Sequence, residues 1–172
     1  MRRLITLLSV LALTLAATPV FARGQSDLAE ARQATAPFHD VSQAEAAGYS
    51  STLETLGCFE NPGVGGMGLH YLNEENLDGT PEADAPEALV YEMRPNGKLK
   101  LVGLEYIVPI EAWAEDEPPS LFGQHFHQHS TLPLWVLHVW VWAPNPNGMF
   151  ADWNPNVGPC PEDVPIFGAD LP

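Results

Sequence analysis

The chain has 172 residues, with 22 acidic and 7 basic side chains, a net charge of −15, 45% hydrophobic residues and two cysteines. Charge of that sign argues against nucleic acid and anionic lipid as partners, because both repel an acidic surface. It suits a protein kept in solution outside the cytoplasm, or one that attracts cations.

Residues 1–22 read as a secretory leader rather than as part of the fold. Arg2 and Arg3 precede an almost unbroken apolar run from Leu4 to Ala17, and Val20-Phe21-Ala22 supplies the −3 and −1 residues of a cleavage point. A bilayer span needs roughly 20 apolar residues, which neither this run nor any later segment reaches. The expectation is a periplasmic or secreted protein with no membrane insertion once the leader is removed. Cleavage leaves residues 23–172 with a net charge of −17, a length that suits one domain of roughly 100–150 residues.

The chain then predicts two short helices. Ser26 or Asp27 is a plausible N-cap for a helix reaching Ala34, and Asp40 for a second from Val41 to Ala47, ended by Gly48. Gly57 to Gly66 is so rich in Gly, Pro and Asn that it reads as a loop. Strands are expected at Met67–Leu72, Ala88–Met93, Leu99–Val108 and Leu134–Trp142. Asn96-Gly97 between the second and third is a hairpin signal. From Ala143 onward Pro, Asn and Gly disfavour regular structure, leaving Phe150, Trp153 and Phe167 as anchors. The fold class expected is α+β: two N-terminal helices packed on an antiparallel sheet of four to six strands, with an irregular C-terminal tail.

Cys58 and Cys160 lie about a hundred residues apart. In an oxidising compartment a lone pair of thiols is expected to form a disulfide, and they lack the close spacing of a thiolate metal site.

Five of the six histidines fall at strands or strand ends: His70, His125, His127, His129 and His138. Alternation puts Leu101, Gly103, Glu105 and Ile107 on one strand face and Val102, Leu104, Tyr106 and Val108 on the other. Glu105 is thus a lone carboxylate in an apolar strand, and burying it requires a partner, a metal or a raised pKa. His138 poses the same question in a strand apolar on both faces, with Leu134, Val136, Trp140 and Trp142 on its side. If His70, Glu105 and His138 share a face, they form a two-histidine, one-carboxylate set of the kind that holds zinc or iron. In an extended His125–His129 run all three imidazoles point one way, so one could serve as a fourth or gating ligand. His39, at a helix start, reads as structural.

Competing chemistries are thin. The histidine pattern lacks the carboxylate that follows the paired histidines of a cupin. No Gly-rich segment joins a strand to a helix as phosphate or dinucleotide binding requires, and no serine sits in a nucleophile elbow.

The segments Met67-Gly68-Leu69-His70-Tyr71-Leu72-Asn73, Leu101-Val102-Gly103-Leu104-Glu105-Tyr106 and Leu137-His138-Val139-Trp140-Val141-Trp142 occur in order, followed by Asn145-Pro146-Asn147-Gly148-Met149-Phe150-Ala151-Asp152-Trp153-Asn154-Pro155. Together with Leu89-Val90-Tyr91-Glu92 they resemble a family of exported bacterial hypothetical proteins, from about Ala34 to Cys160. That family has no established activity, so the resemblance implies one exported domain and supplies no reaction. It includes His70, Glu105 and His138; the run His125–His129 departs from it, since fewer histidines occur there in the family.

The leading expectation is a divalent metal site (zinc, copper or iron) on His70, Glu105 and His138. Were it catalytic, Glu105 itself or Tyr71, Tyr106 or Glu92 would move protons. A metal-free small-ligand module with an aromatic-lined pocket, and a structural envelope protein with a buried hydrogen-bond network, remain as alternatives. Oligomeric state is left open.

Overall fold

A computed structural model describes residues 20–167. Helix α1 (Val20–Thr35) leads through a 3-10 turn, Ala36–His39, to α2 (Val41–Ala46). Ten strands follow: β1 (Ser50–Ser51), β2 (Cys58–Asn61), β3 (Gly65–Leu72), β4 (Ala88–Met93), β5 (Leu99–Pro109), β6 (Ser120–Leu121), β7 (Gln124–His125), β8 (His127–Gln128), β9 (Leu134–Val139) and β10 (Ile166–Phe167). The main sheet runs β10-β2-β3-β4-β5-β9-β8, with β1 paired to the far end of β3, while β6 and β7 form a separate hairpin.

The α+β class stands, but the sheet is larger than four to six strands and it is mixed, since β10 runs parallel to β2. The expected loop at Gly57–Gly66 contains β2 and the start of β3. Its pairing comes from afar, from β3 on one side and β10 on the other, which no local propensity reveals. The expected leader lies outside the described residues except for its last three, which form the start of α1. Ser26 and Asp27 therefore sit inside a helix already under way instead of capping it. Asp40 does cap α2: its Oδ1 accepts from the Ser42 backbone N–H at 3.1 Å, and Gly48 takes the left-handed φ of 95° that ends it.

One sheet face carries Leu69, Tyr71, Leu89, Tyr91, Leu104, Tyr106, Leu137 and Val139, packed against Leu28 and Ala31 of α1 and Ala44 of α2. The tyrosines here are buried without losing their polar ends, as the Tyr91 hydroxyl donates to the Phe38 carbonyl at 2.6 Å and that of Tyr106 to the Ala83 carbonyl at 2.7 Å. Glu87 is buried too. Its Oε2 accepts from the Ile107 backbone N–H at 2.9 Å, while Oε1 has no hydrogen-bond partner among the described residues. Burial pushes its carboxyl up from 4.5 to about 8, so at neutral pH it is mostly protonated.

The opposite face carries Phe59, Met67, Val90, Val102 and Trp140, beneath Ala143 and Val157 of the tail. Strict alternation would send Val102 to the helix side and Leu101 to this one. The β4–β5 register shifts between Val90 and Tyr91, which pair with Gly103 and Leu101. Val102 is the extra residue of a β-bulge, and Leu101 joins the helix-side core. β9 also ends early, because after Val139 the chain turns: Trp142 N–H donates to the Val102 carbonyl at 3.2 Å. Trp142 consequently meets the edge of the His39 ring, 4.5 Å between centroids, and packs with the helix-side core instead of sharing the face of His138.

The tail is largely irregular, as its composition suggests. It is tied down by a disulfide between Cys58 and Cys160, whose Cα atoms are 5.9 Å apart. Asn154 forms an antiparallel bridge with Gly66, and Glu92 Oε1 accepts from the Gly158 N–H at 3.2 Å.

Candidate metal centre

β5 and β9 pair antiparallel with Glu105 directly opposite His138. Two strands away, β3 sets His70 opposite Val90 of β4, which in turn pairs with Gly103 of β5. Three polar side chains therefore project from the tail-covered face of a sheet otherwise lined there by Ala88, Val90, Ile107 and Val136. Two glycines make room. Gly68 holds φ at +99°, and a Cβ there would lie 2.4 Å from the Tyr91 carbonyl oxygen. At Gly103 a Cβ would meet the Trp140 indole at 3.1 Å, so the missing side chain lets that ring lie on the strand beside Glu105.

The three groups converge. His70 Nε2 lies 3.1 Å from Glu105 Oε2, and His138 Nε2 lies 3.5 Å from Glu105 Oε1. The candidate ligand atoms of all three lie within 4.8 Å of one another. Ligands on one zinc at about 2.0–2.1 Å sit about 3.3 Å apart when tetrahedral; each nitrogen–carboxylate separation is near that value, the two being made to different oxygens of Glu105. All three residues are buried, with 4%, 7% and 2% of their surface accessible.

Aromatic rings enclose the group. Phe59 meets the His70 ring edge-on at 4.5 Å, and Trp140 lies nearly parallel to His138 at 6.3 Å. In such surroundings desolvation works to raise the Glu105 pKa, yet the facing imidazoles of His138 and His70 outweigh it and bring the carboxyl down to about 2. Burial likewise disfavours charge on His138, but Glu105 and Asp152 prevail and raise its pKa. Carboxylate and imidazolium hold each other charged.

Asp152 adjoins the group, and the sequence did not single it out. Its Oδ1 lies 3.4 Å from His138 Nδ1 and its Oδ2 3.3 Å from His127 Nε2, and its carboxyl, despite the opposing effect of burial, is held well below the usual range by these two histidines. A carboxylate behind the distal nitrogen of a ligating histidine fixes that ring and raises its basicity. The only signal for it was a lone acid between Phe150 and Trp153, in a stretch with no periodicity to read.

Neither ring nitrogen of His138 makes a well-formed hydrogen bond with these carboxylates, and His70 Nδ1 has no partner among the described residues. Buried nitrogens without hydrogen bonds demand an explanation, and His138 Nε2 is one of the three ligand atoms that could hold a metal ion.

The histidine run does not enter this group. Phe126 is buried in the helix-side core as alternation predicts, but the run divides between two sheets: His125 is exposed in the β6–β7 hairpin, and His127 lies in β8 of the main sheet and pairs with Asp152. His129 Nδ1 accepts from the backbone N–H groups of Thr131 at 3.2 Å and Leu132 at 3.1 Å. The proton of the neutral ring is thereby placed on Nε2, making it a donor and not a ligand. Tyr71 and Tyr106 face the helix-side core, away from Glu105. Glu92 is engaged by Gly158, by Arg94 Nε at 3.1 Å and by Lys100 Nζ at 3.9 Å. None of the three is placed for proton transfer at the centre.

A buried His/Glu/His group on a large mixed sheet closed by a disulfide thus defines the protein structurally. No family model, no curated protein and no solved structure matches the chain. Among the described residues no helix is long and apolar enough to cross a membrane.

Proposed function

We propose that this is an exported metal-binding protein, of the bacterial family its motifs resemble, whose His70–Glu105–His138 centre is the working site of a small metalloenzyme. The observation that carries this reading is convergence: residues from three strands, far apart in sequence, bring their ligand atoms within 4.8 Å of one another in an apolar setting. Two imidazoles and one carboxylate suit zinc, iron or copper. Three protein ligands leave a coordination position open, as catalytic sites do and structural zinc sites do not. When bound, such an ion polarises a substrate oxygen or lowers the pKa of a water. The chain's own residues orient it: Asp152 holds the His138 ring, and Phe59 and Trp140 limit water.

The test is elemental analysis of the untagged protein purified from an exporting host, followed by titration of the chelator-treated form with zinc, copper(II) and iron(II). About one equivalent of a single ion, lost in His138→Gln and Glu105→Gln, supports the centre. Less than a tenth of an equivalent with no uptake on titration rejects it.

A second reading rests on the 3.1 Å separation of His70 Nε2 and Glu105 Oε2, already a hydrogen-bond length. In that reading the group binds a small ligand without a metal. Ligand binding that survives chelator treatment separates the two.

A further inference from the structure

Beside the centre lies a cavity of about 110 Å³. Leu56, Leu72, Leu77, Ile107 and Leu134 form most of its wall, and His70, Glu105 and His129 supply its polar end. The Thr52 hydroxyl also reaches the lining but is occupied, donating to the His70 carbonyl at 3.0 Å. Phe59 and His129 border both this cavity and a broader groove of about 620 Å³ that runs past His127, His138 and Asp152.

We propose that this cavity is the binding pocket for a small uncharged, largely apolar molecule with one terminal oxygen, such as a short-chain alcohol or primary amide, held with that oxygen at the His129–Glu105 end. The identification of the ligand class deepens the metal-centre reading and rests on it for the partner that the oxygen meets beyond His129.

Size sets the first limit. A dry engineered cavity of roughly 150 Å³ holds benzene, so this pocket takes about four to six non-hydrogen atoms. Charge sets the second. No Lys or Arg lines the pocket and Glu105 is already paired with two histidines, so in the metal-free protein an ionic headgroup would lose its hydration with nothing to replace it. Polarity sets the third. Because His129 Nδ1 is taken by two backbone N–H groups, Nε2 carries a hydrogen and selects an acceptor, which a hydroxyl or carbonyl oxygen is and an ammonium is not. The leucines at the other end offer no hydrogen bond, so the ligand's remaining atoms are hydrocarbon.

The experiment is methyl NMR of the full chain, chelator-treated and zinc-treated, titrated separately with butyramide, 1-butanol, butylammonium and butyrate. Saturable shifts of the Leu72, Ile107 and Leu134 methyls are expected with the first two probes, and, in the chelator-treated protein, affinity more than about tenfold weaker for the two ions. Leu134→Trp fills the pocket and abolishes the shifts. Leu77→Ala enlarges it and moves the preference to hexanamide, which keeps the proposal testable should the tryptophan variant fail to fold. Zinc uptake with no saturable shift from any probe, or equal response of the chelator-treated protein to charged and uncharged probes, overturns the pocket and leaves the centre standing. Probe binding without zinc uptake overturns the centre and leaves the pocket.

Discussion

Glu105 and His138 face each other across adjacent strands, 3.5 Å from carboxylate oxygen to imidazole nitrogen, with each nearly sealed from solvent. The β5–β9 register sets the two residues opposite each other, so no long reach is needed for their side chains to meet.

This pair makes one of two opposing contributions to the pH dependence of the metal-free protein, the other being that of Glu87. His138 is raised above 6.5, so its stabilising contribution is complete below pH 6.5 and disappears as pH rises through the folded-state value. Glu105 is depressed from 4.5 to about 2, so its contribution is complete above pH 4.5 and disappears as pH falls toward 2. The cluster therefore stabilises most between about pH 4.5 and 6.5. Urea denaturation of the chelator-treated Glu87→Gln protein, which lacks the opposing slope of Glu87, should show that window, and adding Glu105→Gln should flatten it.

Removing the carboxylate behind His138 weakens the centre without removing a ligand. Asp152→Asn should lower zinc affinity by about 10–100-fold and leave the stoichiometry at one ion, read by competition with a chromophoric chelator. An unchanged affinity means Asp152 has no part in holding the ring.

Glu87 opposes folding as the solution becomes alkaline. Its folded-state value of about 8 against 4.5 means the folded chain keeps a proton that the unfolded chain releases. Stability should thus fall by about 1.4 kcal/mol per pH unit between those values. Glu87→Gln keeps an acceptor for the Ile107 N–H and should be more stable than the parent at pH 8, by a margin that vanishes near pH 4. A variant less stable at every pH contradicts the assignment.

Gly68→Ala tests the backbone that aims His70. Its φ of +99° and the approach of the Tyr91 carbonyl leave no room for a methyl. The cost should be about 1–3 kcal/mol by denaturant titration, with weaker zinc binding because the next-but-one residue moves with the strand.

Much of the site was readable because it lies on regular strands. Period-two alternation isolated Glu105 and His138 as polar residues among Val, Leu and Trp, and Asn96-Gly97 marked the β4–β5 hairpin, where the Arg94 N–H donates to the Lys98 carbonyl at 2.9 Å. What escaped depends on pairing between distant segments. The bulge at Val102 exchanged the faces of Leu101 and Val102 without touching Glu105. β2 and β10 are too short for a local signal, and Asp152 reaches His138 only because the Asn154–Gly66 bridge holds an irregular tail against the sheet. The His125–His129 run is divided by pairing that no local pattern shows: His125 joins β6 in a separate hairpin, whereas His127 joins β9 in the main sheet.

The Cys58–Cys160 link sits next to Phe59, the ring that leans on His70 and stacks on Phe167 at 4.3 Å, and the Cys58 N–H also donates to the Pro165 carbonyl at 2.7 Å. Where thiols are kept reduced, the C-terminal strap loses its clasp and the aromatic wall around the imidazole loosens with it. The bridge is thereby coupled to the candidate centre: whatever loosens Cys58 is felt one residue on, at the ring that borders His70.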